Sequence, residues 1–203
     1  MFIKSPDALR ALWQGREVPI RVGIETGTFR GVSAERLSPA VKTWHTIDIN
    51  PGCTQLARRR CGESGRTNVY FHTGDSRVLL AKLLRKNQEA CLIMLDAHFS
   101  KVKRKLFEDE PTLTHSPDGG DFPLLKELET IAPRPYADIV IVDDTALFGK
   151  DRPDLRATGD KGQIIDKRPQ WESMTRDKVA SLLGRVCVYT DFHGTTVYWR
   201  FQA

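Results

Sequence analysis

Acidic residues recur where apolar segments of this chain stop. Glu25 ends one such segment and enters the glycine-rich stretch GIETGTFRG, which runs from Gly23 to Gly31. Asp48 ends a second in HTIDIN, Asp75 with Ser76 follows a third in TGDS, and Asp96 follows the run CLIML. The pair Asp143–Asp144 follows a fifth, in ADIVIVDD. Ionised carboxylates are acceptor-only groups and hard-cation ligands, so their targets are hydroxyls, amino groups and divalent metals. Gly27 would let backbone approach a ligand, and Gly31 would let a following helix pack tightly. A GxGxxG phosphate fingerprint is missing, and the charge of Glu25 opposes a pyrophosphate. The turn therefore suits a ligand with an amino group and no phosphate. Asp48 stands about 20 residues beyond Gly27, the spacing at which an acidic residue meets a ribose. A carboxylate at Asp75 would accept from an adenine amino group. Each acid also has a plainer use as a helix cap, and the glycines as a simple turn.

The elements that must position these residues alternate. A short N-terminal helix is capped by Ser5, opened by Pro6 and ended by Gly15. Strands are expected at 21–25, Thr43–Ile49, 68–72, Cys91–Leu95 and 138–142, with helices between them. A helix near 175–183 then precedes strands at 185–191 and 195–201. Continuous apolar strands separated by helices indicate a parallel sheet covered on both faces. The link Phe192–Gly194 is so short that the last two strands must form an antiparallel hairpin. The expected fold class is α/β: one Rossmann-like, doubly wound domain over 1–203, with 1–18 as an N-terminal helical extension.

Composition excludes little beyond membranes. The chain of 203 residues is 40% hydrophobic, enough to cover both faces of one sheet. No apolar run reaches the roughly 18 residues of a membrane span, and no secretory signal is read at the N-terminus. Cys53, Cys61, Cys91 and Cys187 form no CxxC pair, which suits reduced thiols and a cytoplasmic setting better than zinc. The net charge of +5 permits a nucleic-acid partner, but no nucleic-acid module is present.

The order of these motifs resembles the class I S-adenosylmethionine-dependent methyltransferases, from about residue 21 to residue 201. The resemblance implies a seven-stranded sheet in the order 3-2-1-4-5-7-6, with strand seven antiparallel. It implies that Glu25, Gly27, Thr28 and Gly31 hold the methionine end of the cofactor, Asp48 the ribose, and Asp75 with Ser76 the adenine. The second half, CLIMLDAHFS to ADIVIVDDTALFG, resembles the small cation-dependent O-methyltransferases of the catechol, caffeoyl-CoA and macrolide-sugar types. That resemblance implies a divalent metal, magnesium or calcium, on Asp96, Asp143 and Asp144, and a small-molecule acceptor with a hydroxyl. Asp96 has a second reading as a contact to the cofactor. His98 is the candidate base, since its unperturbed pKa lies near 6.5, or else it orients Asp96; the two together form the candidate catalytic pair. His45, His72 and His193 read as structural, and His115 has no role assigned.

Two long segments, 100–120 and 149–170, leave the ends of strands four and five, where lids and substrate-binding loops occur. The first carries Lys101, Lys103, Arg104 and Lys105, suited to an anionic acceptor or to solvent. Rival readings are a methyltransferase acting on RNA or protein, and a non-catalytic module that binds the same cofactor. A nicotinamide oxidoreductase is disfavoured by Glu25 and the missing fingerprint. The edge of the terminal hairpin leaves room for a homo-oligomer.

Overall fold

The computed structural model describes residues 3, 5–15, 19–98, 100–102, 123–145, 148–149, 163–165, 173–184, 186–190 and 195–199. Helix α1 (Pro6–Arg10) starts at Ser5, whose hydroxyl accepts the Ala8 N–H at 3.1 Å. A 3-10 turn, Ala11–Trp13, follows it. Alternation then begins with β1 (Val22–Thr26), α2 (Val32–Leu37), β2 (Thr43–Asp48) and α3 (Pro51–Glu63). It continues through β3 (Val69–Thr73), α4 (Ser76–Lys86), β4 (Cys91–Leu95), β5 (Ser100–Val102) and α5 (Leu124–Ile131). The chain closes with β6 (Ile139–Val142), β7 (Gln163–Ile165), α6 (Arg176–Leu183), β8 (Val186–Thr190) and β9 (Thr196–Trp199). The expected element ends differ from these by a residue or two, the usual uncertainty of a fraying terminus.

The main sheet runs β3-β2-β1-β4-β6-β9-β8. Neighbours from β3 to β6 are parallel, while β9 pairs antiparallel with both β6 and β8. The hairpin expected at the end of the chain is present, and its second strand is the one that enters the sheet. Edges fall at β3 and β8. Strands β5 and β7 were not expected. They form a separate antiparallel ribbon in which Ser100 faces Ile165 and Val102 faces Gln163. The two long segments are thereby joined to each other; residues 103–122, 150–162 and 166–172 lie outside the described residues. So do the basic side chains assigned to the first segment, together with His115 and His193.

Both faces of the sheet are buried, which explains the apolar strands. Side chains alternate across a strand, so Ile93 and Leu95 of β4 face one layer while Leu92 and Met94 face the other. The first layer takes Leu80, Leu83 and Leu84 of α4, Leu128 and Ile131 of α5, and Val179 and Leu183 of α6. The second takes Leu9 of α1, Leu37 of α2 and Trp44 of β2. Burying each such side chain contributes roughly 1.5–3 kcal/mol, so the two layers hold the strand ends rigid. Among the described cysteines, Cys53, Cys61 and Cys91 are free and buried, and burial pushes the Cys61 thiol up to about 11 and Cys91 to about 12.

His45 and His72 fall within β2 and β3, as read from the sequence. Their rings meet between β2 and β3, with Nδ1 of His45 3.0 Å from Nε2 of His72. Burial, then the neighbouring His72, lowers the His45 pKa from 6.5 to about 4. The unfolded chain takes up this proton near 6.5 and the folded chain resists until about 4, so stability is lost as pH falls through that window. Unfolding temperatures measured from pH 7 to pH 4 are expected to fall less steeply for His45→Leu than for wild type. Parallel curves would remove His45 from the account.

Candidate active site

The glycine turn is tied to β2 rather than open. The N–H groups of Gly27 and Thr28 both donate to the Ile47 carbonyl, at 2.8 and 3.2 Å. The Phe29 N–H donates to Asp48 Oδ2 at 2.8 Å, and Asp48 Oδ1 accepts the Asn50 N–H at the start of α3. Asp48 thus stands where it was expected, at the end of β2 beside the turn that follows β1. Burial raises its pKa against these hydrogen bonds. Phe29 adopts φ +45°, rare for a bulky residue, and such backbone strain clusters at functional sites.

The two glycines are required by close contacts. Gly31 has φ +69°, and a Cβ there would lie 2.4 Å from the Ala57 Cβ, so α2 packs hard on α3 as anticipated. At Gly27, φ is +84° and a Cβ would lie 2.3 Å from the Asp96 carbonyl oxygen. The close approach expected of this glycine is therefore made first by the protein's own backbone.

Glu25 and Thr28 do not reach the crevice surface. Glu25 has no exposed area. It accepts hydrogen bonds from the hydroxyls of Ser33 and Thr46 and lies 3.5 Å from the Trp44 indole N–H. Since the Thr46 hydroxyl donates to Glu25, Thr28 must donate to Thr46, 2.7 Å away. The chain Thr28–Thr46–Glu25 fastens the turn from below. Burial pushes the Glu25 carboxyl up to about 7, against these hydrogen bonds.

Asp75 caps α4, accepting the Arg77 N–H at 2.8 Å, and both its oxygens also take the Arg77 guanidinium. Ser76 is buried at the first turn of the same helix.

A second cluster forms beyond β4 and β6. His98 Nε2 lies 2.8 Å from Asp144 and 3.6 Å from Asp96. Burial opposes a charge on His98, but the two carboxylates outweigh it and hold the pKa well above 6.5. Burial would raise Asp144, yet the hydrogen bond and charge of His98 keep it below its usual value. Asp96 rises to about 7 through burial and the charge of Asp143. Asp144 reaches His98 from φ +54°, a conformation Asp tolerates better than most residues. One ligand atom from each of Asp96, His98 and Asp144 fits within a 4.8 Å sphere of mutual distances. Asp143 is instead engaged by the Thr195 hydroxyl. The donor set that converges is thus two carboxylates with an imidazole, where the resemblance implied three carboxylates.

Sequence reading missed Glu127. It lies on α5 beside Leu124, Leu128 and Ile131, all buried, the i, i+3, i+4, i+7 stripe of an amphipathic helix. A carboxylate on that stripe was the available signal. Only 1% of Glu127 is exposed, and neither carboxylate oxygen has a hydrogen-bond partner. The Ser76 and Thr26 hydroxyls lie close enough to lower its pKa without completing a hydrogen bond, while burial dominates and pushes the carboxyl up to about 7.

No family model matches this chain, and no curated protein sequence does either. Solved structures do resemble it. The O-methyltransferase TomG of Streptomyces achromogenes, solved with S-adenosylmethionine, is 19% identical with a TM-score of 0.54, covering 96% of this chain and 78% of that one. The methyltransferase PaMTH1 of Podospora anserina, with S-adenosylhomocysteine bound, is 18% identical with a TM-score of 0.56, covering 89% and 72%. An O-methyltransferase of Bacillus cereus, also with S-adenosylhomocysteine, is 15% identical with a TM-score of 0.55, covering 96% and 80%. The fold is therefore the Rossmann-like α/β fold of S-adenosylmethionine-dependent methyltransferases.

Gly27→Ala must strain the backbone and collide with Asp96, so unfolding free energy is expected to drop by about 2 kcal/mol or more; a loss under about 0.5 kcal/mol would refute the contact. Glu25 gives a pH test of opposite sign to His45. Its raised pKa makes stability fall as pH rises from 4.5 through about 7. Denaturant titrations across that range should show a shallower fall for Glu25→Gln.

Proposed function

We propose that this protein is an S-adenosylmethionine-dependent O-methyltransferase acting on a hydroxylated small molecule, with a divalent cation at the Asp96–His98–Asp144 cluster. The observation that carries the proposal is the meeting of two features at one sheet edge. A glycine turn backed by Asp48 adjoins a compact carboxylate–imidazole centre, with the Gly27–Asp96 contact between them. In this reading the sheet is the seven-stranded class I arrangement, the described elements belong to one domain, and the setting is cytoplasmic. No helix among the described residues is long and apolar enough to cross a membrane.

The crevice fits a nucleoside cofactor on two counts: Asp48 closes β2 beside the turn, and the unpartnered oxygens of Glu127 lie farther along the same edge. The cofactor supplies an activated methyl group, so the protein's part is position and electrostatics. Asp48 would accept the ribose hydroxyls, and Gly27 would bring the backbone close to the methionine end. The convergent donors also fit a divalent cation. Asp96, His98 and Asp144 would hold it, with Asp143 beside them, and bound there it would lower the pKa of an acceptor hydroxyl. An imidazole among carboxylates suits a first-row transition metal better than magnesium or calcium.

The test is thermal unfolding with S-adenosylhomocysteine, and with NAD as control, in chelator, magnesium and manganese. Ligand at about 100 times its dissociation constant adds roughly 2.7 kcal/mol, or roughly 5–10 °C here. The expected result is a shift with S-adenosylhomocysteine and none with NAD, enlarged by manganese. Asp144→Ala should keep the first shift, lose the metal increment, and transfer no labelled methyl group to hydroxylated acceptors. Full transfer by Asp144→Ala in chelator would exclude the metal role, and no shift with saturating S-adenosylhomocysteine would exclude the cofactor.

A further inference from the structure

Positive charge is spread unevenly along this chain. Between Pro51 and Lys86 stand eight Lys or Arg residues and two acids. That excess is larger than the net charge of the whole protein, +5, so the rest of the chain is close to balanced. The segment comprises α3, β3 and α4, with β3 at the edge of the sheet. Three of its cations are engaged locally: Arg60 by Glu35, Arg66 by the Glu35 carbonyl, and Arg77 by Asp75. The other acid, Glu63, closes α3 more than a turn beyond Arg58. Arg58, Lys82, Arg85 and Lys86 are exposed and belong to none of the ion pairs formed among the described residues.

These cations reach β3 from both faces. The Arg58 guanidinium of α3 lies over the Phe71 ring, 5.0 Å from its centroid. On the opposite face, burial and then the charge of Lys86 lower the His72 pKa, which sets Lys86 of α4 beside that strand. Lys82 stands one turn before Lys86 on the same side of the helix. Tyr70 shares the His72 face, since side chains alternate along a strand. It is 53% exposed, more than any other large hydrophobic side chain among the described residues. Its ring leans on His45, with centroids 5.3 Å apart and planes tilted by 34°. The strand pairs with β2 alone, so its outer edge carries unpaired N–H and C=O groups. The edge thus presents a propped aromatic face, cations on both sides and backbone donors between them.

We propose that the β3 edge binds single-stranded nucleic acid, with phosphates on Arg58, Lys82, Arg85 and Lys86 and an unpaired base stacked on Tyr70. Positive charge interleaved with an exposed ring is the combination that single strands use. A duplex keeps its base faces covered and has no use for Tyr70. An anionic membrane surface rewards a helix with an apolar face to insert, and the apolar stripe of α4, Leu80, Leu83 and Leu84, is already buried in the core. The surface is separated from the Asp96–His98–Asp144 cluster by β2 and β1, and its assignment is independent of the cofactor and cation reading.

Fluorescence anisotropy with a short labelled oligouridine tests this, with a duplex of equal length and vesicles of anionic lipid as competitors. Wild type is expected to prefer the single strand to both. With about four phosphates neutralised, its affinity should fall roughly 50-fold between about 50 and 200 mM salt. Tyr70→Ala should weaken binding about fivefold or more, the loss of one stacked base, without changing the salt dependence. Tyr70→Phe keeps the ring and should keep the affinity. Arg58→Gln and Lys86→Gln should each flatten the salt dependence by about one phosphate contact. Lys126→Gln removes an exposed charge from α5 and should do neither. Stronger competition by the duplex or the vesicles, full affinity in Tyr70→Ala, an equal loss in Lys126→Gln, or no binding at the lowest salt would each overturn the assignment. None of these outcomes bears on S-adenosylhomocysteine binding, which the unfolding shifts above test separately.

Discussion

The contact between Gly27 and the Asp96 carbonyl joins the two halves of the site. Parallel pairing aligns Thr26 with Leu95 as the last pair of β1 and β4. The ladder then runs one step beyond the strands, with the Asp96 N–H donating to Thr26 and the Asp143 N–H donating to Leu95. Both acids are thus held by backbone hydrogen bonds in register with the sheet. A side chain at position 27 would force β1 and β4 apart where this extension begins. The absence of a Cβ there lets the glycine turn and the acidic cluster share one wall.

That geometry crowds negative charge. Asp96, Asp143, Asp144 and Glu127 lie close enough for Asp143 and Asp144 to raise Asp96, and for Asp96 to raise Glu127. His98 answers them from within the cluster. Desolvation strengthens each repulsion, so the cluster is held by the sheet and helices rather than by its own attractions. Such a site gains most from a ligand that brings positive charge or hydrogen-bond donors.

How much of this was legible in the sequence depended on which force placed each residue. Asp48, Asp96 and Asp143 were legible because an apolar run buried on both faces must stop at the sheet edge, and the first acid after it marks that edge. Gly31 was legible because helix packing and positive φ act at the same residue. Glu25 was placed at the right strand end but on the wrong side of the chain's surface: strand alternation turns it toward Trp44 and Ser33, and no local pattern distinguishes that from facing the crevice. The His98–Asp144 bond spans 46 residues and depends on a left-handed Asp, which only the fold reveals. Glu127 was hidden differently. In LLKELETI it looks like any solvent-facing glutamate until the helix phase is fixed by Leu124, Leu128 and Ile131.

The opposite ends of the strands show what a purely structural arrangement of buried charge looks like. Arg134 and Asp138 pair just before β6, at 2.8 Å, and both are buried. The remaining guanidinium donors go to the carbonyls of Leu84, Asn87 and Glu89, and Asp138 also accepts the Cys91 N–H. Every group in that cluster is matched, which is the condition under which buried charge is tolerated. At the carboxyl ends, Glu127 is equally buried and unmatched, and the acids around it share one imidazole. The same sheet therefore carries a closed electrostatic network at one edge and an open one at the other. Because both are built from the same connecting segments, on either side of β4 and β6, burial alone does not explain the difference. What distinguishes the open edge is that its missing partners are hydrogen-bond donors and positive charge, the properties of the cofactor and cation proposed for it.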